Sequence, residues 1–432
     1  MDYQQSRAYV SDADRYAGGA LDLTNIKELM KRLGNPQDQL KYVHVAGTNG
    51  KGSVIAYLYT TLSEAGYRVG RYISPSVYSY REKMEVAGRS VSREQFAGYV
   101  TRVAAAIEEM TSEGLAHPTP FEIETAVAFL FFVEENCDLV ILEVGMGGNL
   151  DATNIIKNTI LAVLVPISMD HQSFLGNTLS EIAEKKAGII KPGCSVVTAG
   201  QQPETMAVIK NVCAQNNADL TEADLREAKA VKEDFAGQIL EYRGETFELS
   251  LAGSYQTENA ALALEALHVL EKKGYPTTVL QRKKGLKDTR WNGRLTIIHR
   301  DPLFIVDGAH NPAAADMLED SVRKYFKGRK LFFIMGVFRD KDYPYIIRKL
   351  CPYAQQIVTV ETPDNPRALP AEELAEAIKP CNPNVQAAGS IEDAVNKVFD
   401  MAGCDDVILS FGSLSFIGQI TAIVKTREEK NS

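Results

Sequence analysis

The run Gly47-Thr48-Asn49-Gly50-Lys51-Gly52-Ser53 is the part of this chain whose residue types and spacing most plainly suit chemistry. It follows an apolar segment, Tyr42–Ala46, and leads into a helix-forming stretch, Ser53–Glu64. Glycines let backbone N–H groups turn inward and cradle phosphate oxygens, and a helix N-terminus adds more N–H groups and partial positive charge. Lys51 has the reach for the β- and γ-phosphates of a nucleotide, and the Ser53 hydroxyl suits a magnesium ion. The run departs from the strict GxxxxGK[ST] pattern: Gly47 stands too near Gly50, and Gly52 separates Lys51 from Ser53. A plain strand-to-helix turn is the competing reading; the strand–loop–lysine–helix context favours phosphate.

Other residues stand where chemistry and structure both have a use for them. Glu143 lies in the apolar run Leu139–Val144, just ahead of Gly145, Gly147 and Gly148. Carboxylates at the C-terminal ends of parallel strands face the ligand crevice, so magnesium ligation and a buried acid satisfied by N–H groups are both open. Asp170-His171 follows the apolar Thr159–Pro166 in the same way, and a lone histidine is readily structural. Lys185 and Lys186 read as two solvated charges on a helix. Gln256 and Asn259 read as cap or turn residues opening a long Ala-rich helix. Asp307-Gly308 and Asn311-Pro312 are turn signals. Arg81 and Lys83 form a basic loop that could orient carboxylates or simply be solvated.

A set of motifs in fixed order carries more than any of these alone. They are GTNGKGS at 47–53, SPSVYSYREKMEV at 74–86, EVGMGGNLDATN at 143–154, SMDHQSFLG at 168–176, EKKAGIIKPG at 184–193, YQTENAALAL at 255–264, WNGRL at 291–295, DGAHNP at 307–312 and GSLSFIG at 412–418. The loop resembles that of the Mur ligase superfamily, and its Gly-Ser ending resembles the folylpolyglutamate synthase and dihydrofolate synthase branch. The resemblance covers nearly the whole chain. It implies an ATP-dependent ligase that adds L-glutamate to a folate or dihydropteroate through an acyl phosphate, with ATP and Mg2+ as cofactors. It also implies that Ser53, Glu143, His171 and a carbamylated Lys186 hold metal, with Lys51, His171 and Lys186 at the catalytic centre. ATP would be met by residues 47–53 with Gln256, Asn259, Arg294, Asp307 and His310; Asp151, Arg81 and Lys83 would face the acceptor, and Ser413 the incoming glutamate.

Three positions depart from the family's pattern: Lys185 replaces a common glutamate, Asn292 a proline in the WPGR-like turn, and Ser76 a histidine after Ser-Pro. A Mur-type ligase acting on another carboxylate is the nearest alternative, disfavoured by Gly52-Ser53 where muramyl-peptide ligases carry two threonines. A nucleotide-dependent switch without ligase chemistry would use the phosphate loop but has no need of Glu143, His171, Lys186 and DGAHNP together.

The elements that must position these residues alternate. Apolar runs at Tyr42–Ala46, Arg68–Ile73, Leu139–Val144, Thr159–Pro166 and Ser195–Thr198 read as strands between helices at Ser53–Glu64, Ile123–Glu134 and Leu179–Ile190. Thr178 and Glu181 have capping-box spacing, and Lys191-Pro192-Gly193 supplies a stop. After a less regular stretch at 215–250, Thr257–Lys273 reads as one helix, and the basic, turn-rich Gly274–Arg294 as a connection. A second alternation follows at Leu295–His299, Leu303–Val306, Lys330–Met335, Gln356–Val360 and Val407–Phe411. The expected fold is α/β: a large P-loop-type ATP-binding domain with the folate site over 1–294, mainly parallel, and a smaller Rossmann-like glutamate-ligase domain over 295–432.

Composition excludes more than it identifies. With 47 basic and 56 acidic residues the formal charge is −9, which disfavours nucleic acid and anionic membrane as partners. No apolar run approaches the roughly 18 residues of a membrane span, and the polar, acid-bearing start resembles no targeting segment. A cytoplasmic monomer is the expectation. The six cysteines are scattered without a CxxC pair, which argues against structural zinc and disulfides.

Overall fold

The computed structural model describes residues 1–16, 22–235, 237–363 and 365–431. Eight strands form the first sheet: β1 (Tyr42–Ala46), β2 (Val69–Tyr72), β3 (Met84–Val86), β4 (Arg89–Ser90), β5 (Leu139–Glu143), β6 (Thr159–Leu164), β7 (Ser195–Thr198) and β8 (Asp219–Glu222). Their order is β4-β3-β2-β5-β1-β6-β7-β8. From β2 to β8 all pairings are parallel, while β3 and β4 add an antiparallel edge. All five residues of β1 and all five of β5 are buried, as strands covered on both faces must be. One face packs on Phe96, Phe129, Phe131 and Phe132; the other packs on Ile182, Ile189 and Ile209. The chain leaves β1 toward β2 on one side, and leaves β5 toward β6 on the other. Such a divergence opens a crevice at the strands' C-terminal ends.

Three further strands, β9 (Lys229–Asp234), β10 (Gly237–Tyr242) and β11 (Glu245–Leu249), form an antiparallel meander inside the irregular stretch of the sequence. The last sheet contains β12 (Thr296–His299), β13 (Leu303–Val306), β14 (Leu331–Met335), β15 (Gln356–Thr359), β16 (Val385–Ala387) and β17 (Val407–Phe411), in the order β12-β13-β17-β14-β15-β16. Only β12 runs antiparallel to its neighbour. The expected α/β class with mainly parallel sheets is therefore found.

Contacts divide the chain into two compact units: 1–76 with 80–228 and 258–289, and 77–79 with 229–257 and 290–432. This differs from a single cut at 294/295 chiefly because the meander at 229–249 clusters with the second unit.

Two local expectations are corrected. The helix expected over 179–190 ends at Ala187, because Gly188 supplies the stop three residues before Lys191-Pro192-Gly193. The expected connection at 274–294 contains a helix, Val279–Asp288, opened by a Thr278/Gln281 capping box. Its only buried residues are Gly285 and Leu286, so it shows almost no apolar period. Contact comes from the missing side chain: a Cβ on Gly285 would sit 2.6 Å from Thr61 Cα in the helix Lys51–Glu64.

Candidate active site

The phosphate loop leaves β1 at Gly47, whose φ of +138° and surroundings exclude any side chain. A Cβ there would lie 2.7 Å from the carbonyl oxygen of Val165. Thr48 ties the loop to the segment after β6, since Ser168 N–H donates to Thr48 Oγ1 at 3.0 Å. Gly50, at φ +98°, caps the helix that begins with Lys51. Asn259 packs on it, its Oδ1 2.5 Å from where a Gly50 Cβ would be. Lys51 curls over the loop: Nζ lies 3.4 Å from Gly47 O, 3.3 Å from Thr48 O and 3.8 Å from Glu143 Oε1. Ser53 is buried in the helix's first turn.

Glu143 pairs in register with Val45 at the end of β5, so its carboxylate stands beside the loop. It is buried and accepts the Ser74 N–H at 3.2 Å. Lys186 arrives from the helix Leu179–Ala187, which the Thr178/Glu181 capping box starts. Its Nζ is buried and donates to Gly47 O at 2.8 Å. Burial first, then the positive charge of Lys51, lower its pKa to about 7, with Asp170 and Asp151 opposing. Periodicity alone made Lys186 a solvated charge; the structure makes it a buried one.

Hard oxygen donors, Ser53 and the Glu143 carboxylate, thus lie around one loop. Among the described residues no group of three or more His, Cys, Asp or Glu is gathered as a metal cage. Magnesium does not need one, since it keeps several waters and takes one or two carboxylates plus substrate phosphates. The donor set fits that ion. His171 stands further out, in left-handed backbone at φ +50° with its side chain a third exposed, and its Nε2 is 3.9 Å from Asp170 Oδ2.

The acceptor-side expectations fare differently from one another. Asp151 is buried and occupied within its own turn: it accepts Met146 N–H at 2.8 Å, Thr153 N–H at 3.0 Å and the Thr153 hydroxyl. Thr153 Oγ1 in turn lies 2.9 Å from Nε2 of buried His44 on β1. Burial and the charge of Lys191 push the His44 pKa down to about 3, so this ring is neutral. Lys83 is no solvated cation, because Nζ meets both Glu124 oxygens at 2.8 and 2.9 Å and Tyr80 shares that carboxylate. Arg81 donates to Val91 O at 3.0 Å.

Sequence reasoning missed Glu124, Thr48's partner Ser168 and Ser74, each set by contacts distant along the chain. It also passed over two glycines. A Cβ on Gly148 would lie 2.6 Å from Lys185 O, and one on Gly188 would lie 2.3 Å from Asn149 Cβ. Two glycines 40 residues apart in otherwise unrelated motifs were the available signal.

Within the second unit, Arg294, Asp307, His310 and Ser413 gather at the C-terminal ends of β13 and β17. Buried Asp307 accepts N–H groups of Leu295 and Ala309 at 2.9 and 2.8 Å. Burial raises its pKa and the Arg294 charge opposes this. Arg294 Nη1 lies 2.2 Å from where a Gly308 Cβ would be, so any larger residue there would have to move the guanidinium and Leu414. His310 Nδ1 is 2.7 Å from Gly308 O, Asn311 caps the helix Pro312–Tyr325, and Ser413 Oγ is 2.8 Å from Ser415 Oγ. Gln256 is buried at the start of its helix, next to the Gly253 turn.

A phosphate loop on a parallel sheet, with a buried carboxylate and lysine beside it and a second α/β unit, defines an ATP-dependent ligase of the Mur type. Family models agree: the Mur ligase middle domain matches residues 45–267, and the Mur ligase glutamate ligase domain matches 293–414. The dihydrofolate synthase/folylpolyglutamate synthase of Bacillus subtilis is 34% identical over 431 residues, covering 98% of this chain and 99% of that one. A Mycobacterium tuberculosis folylpolyglutamate synthase complexed with ADP and AMPPCP is 31% identical, with a TM-score of 0.87 over 98% of this chain and 99% of that one. E. coli FolC in complex with DHPP and ADP, 28% identical, superposes with a TM-score of 0.85 over 98% of each. The chain belongs to the folylpolyglutamate synthase/dihydrofolate synthase family.

Proposed function

We propose that this ligase adds L-glutamate to both dihydropteroate and reduced folates, with ATP as the energy source. The observation that carries the site reading is the convergence of Lys51, Glu143 and Lys186 on the Gly47 loop. The acceptor carboxylate attacks the γ-phosphorus of ATP, its bond to the bridging oxygen breaks, and ADP leaves an acyl phosphate. The free amine of glutamate then attacks the acyl carbon, phosphate departs, and an amide remains.

A carboxylate repels a triphosphate, so the site must neutralise charge before the two can meet. Loop N–H groups from 47–53 cradle the phosphates and Lys51 bears on the γ-phosphoryl oxygens. Ser53, Glu143, His171 and, once carbamylated, Lys186 would hold Mg2+. When bound, the ion supplies positive charge to phosphate oxygens. A neutral amine is the form that adds CO2, and the lowered pKa of Lys186 supports that modification. Asn259, Gln256 and Arg294 join the nucleotide set, as do Asp307 and His310 from the smaller domain. Asp151 and Arg81 serve the acceptor and Ser413 the incoming glutamate. Lys83 is the weakest member of this set, because Glu124 already holds its charge.

On this reading residues 1–294 bind ATP and folate, and 295–432 form the glutamate-ligase part of a cytoplasmic monomer. No helix among the described residues is long and apolar enough to cross a membrane. The test is ADP release with each acceptor. Product should require glutamate and acceptor together, and the acceptor should gain one glutamyl mass with dihydropteroate and with tetrahydrofolate. Steady ADP release with no acceptor and no mass gain would overturn the reading; gain with one acceptor alone would restrict it.

A further inference from the structure

Among the buried titratable groups that the described site does not use is His44. His44 sits in the middle of the central strand β1 with no exposed surface. Its Nε2 is 2.9 Å from Thr153 Oγ1. A threonine hydroxyl has one proton to give, and that proton goes to Asp151 Oδ1. The contact with His44 must then be made by an N–H on Nε2. Nδ1 carries no proton in that tautomer, and it is buried without a hydrogen-bond partner. A proton on Nδ1 would strand a buried donor, which costs more than an idle lone pair. Burial raises the Asp151 pKa, and the Thr153 hydroxyl with the N–H groups of Met146 and Thr153 opposes this by bonding to the carboxylate. The charge of Lys191 also bears on His44, and its Nζ donates to Asn154 O at 2.9 Å.

We propose that His44 is a positioning residue of this ligase: through Thr153 it holds Asp151, and with it the turn 145–151, in the orientation that the pterin-bearing acceptor meets. The acceptor half of this rests on Asp151 being an acceptor contact. No proton is transferred; the relay works by fixed direction, His44 Nε2–H to Thr153 Oγ1 and Thr153 Oγ1–H to Asp151 Oδ1. The buried strand thereby adds a side-chain tether to a glycine-rich turn whose backbone already rests on the Lys186 helix.

The test uses the full chain with nitrogen-15 in its six histidines, His44→Gln identifying the His44 signals. The expected spectrum has Nε2 protonated and Nδ1 bare, unchanged between pH 6 and 8, with the Nε2 signal displaced in Thr153→Val. In kinetics, His44→Leu and Thr153→Val should each raise the acceptor KM about tenfold and leave the ATP KM within about twofold. The double variant should be no worse than the poorer single, and His44→Gln, whose side-chain N–H can still reach the hydroxyl, should recover most of the loss. An Nδ1–H tautomer, or losses that add in the double variant, overturns the relay. If the relay holds while the ATP KM moves in place of the acceptor KM, the acceptor half falls together with the reading of Asp151. Should His44→Leu not fold, the wild-type tautomer and Thr153→Val decide the matter.

Discussion

Lys51 and Lys186 share one acceptor: both Nζ atoms point at the carbonyl oxygen of Gly47, at 3.4 and 2.8 Å. Two cations on one carbonyl repel, and the more buried of them gives up its proton more easily.

That sharing predicts how stability follows pH. Unfolded, Lys186 holds its proton up to about pH 10.5; folded, it releases it above about 7. Between these values the unfolded chain binds more protons, so the group's contribution to stability rises with pH and its penalty is full below 7. In carbonate-free buffer, Lys186→Met should therefore be more stable than the parent at pH 7, by up to about a few kcal/mol, melt at a higher temperature there, and lose that advantage toward pH 10. Thermal melts of both proteins across this range check it; an advantage constant with pH would refute it.

Lys51→Ala removes the charge proposed to face the γ-phosphate and should lower ADP release by about 10²–10³-fold or more. Its melting temperature should stay within a few degrees of the parent. Turnover close to the parent would mean that another group carries the phosphate.

At Gly47 the limitation is steric. Gly47→Ala must place a methyl 2.2 Å from Val165 Cγ2 in left-handed backbone, so the loop must shift. A loss of about 1–3 kcal/mol in stability and of most nucleotide binding is expected. Calorimetric titration with ADP, alongside denaturant unfolding, measures both.

Lys83 offers a test between partner and substrate. Lys83→Met leaves Glu124 buried and unpaired except for Tyr80, and should cost about 3–5 kcal/mol. Adding Glu124→Gln should return most of it. A large rise in acceptor KM with unchanged stability would instead make Lys83 a substrate contact.

The sequence carried the strand–loop–helix at 42–64 and the Thr178/Glu181 start almost to the residue, because local chemistry decides both. It could not carry the environment of charges. Lys83 and Glu124 are 41 residues apart and Lys186 and Gly47 are 139 apart, so neither pairing leaves a local pattern. The helix Val279–Asp288 went unseen for a related reason. Its docking uses a glycine in place of an apolar stripe, and absence of a side chain reads as a turn.

The paired glycines 148 and 188 have a mechanical consequence. With backbone lying on backbone and Asn149 N–H bound to Lys185 O at 2.8 Å, the turn around Asp151 and the end of the Lys186 helix form one body without a compliant side chain between them. A molecule that displaces the turn must carry the end of the Lys186 helix along with it.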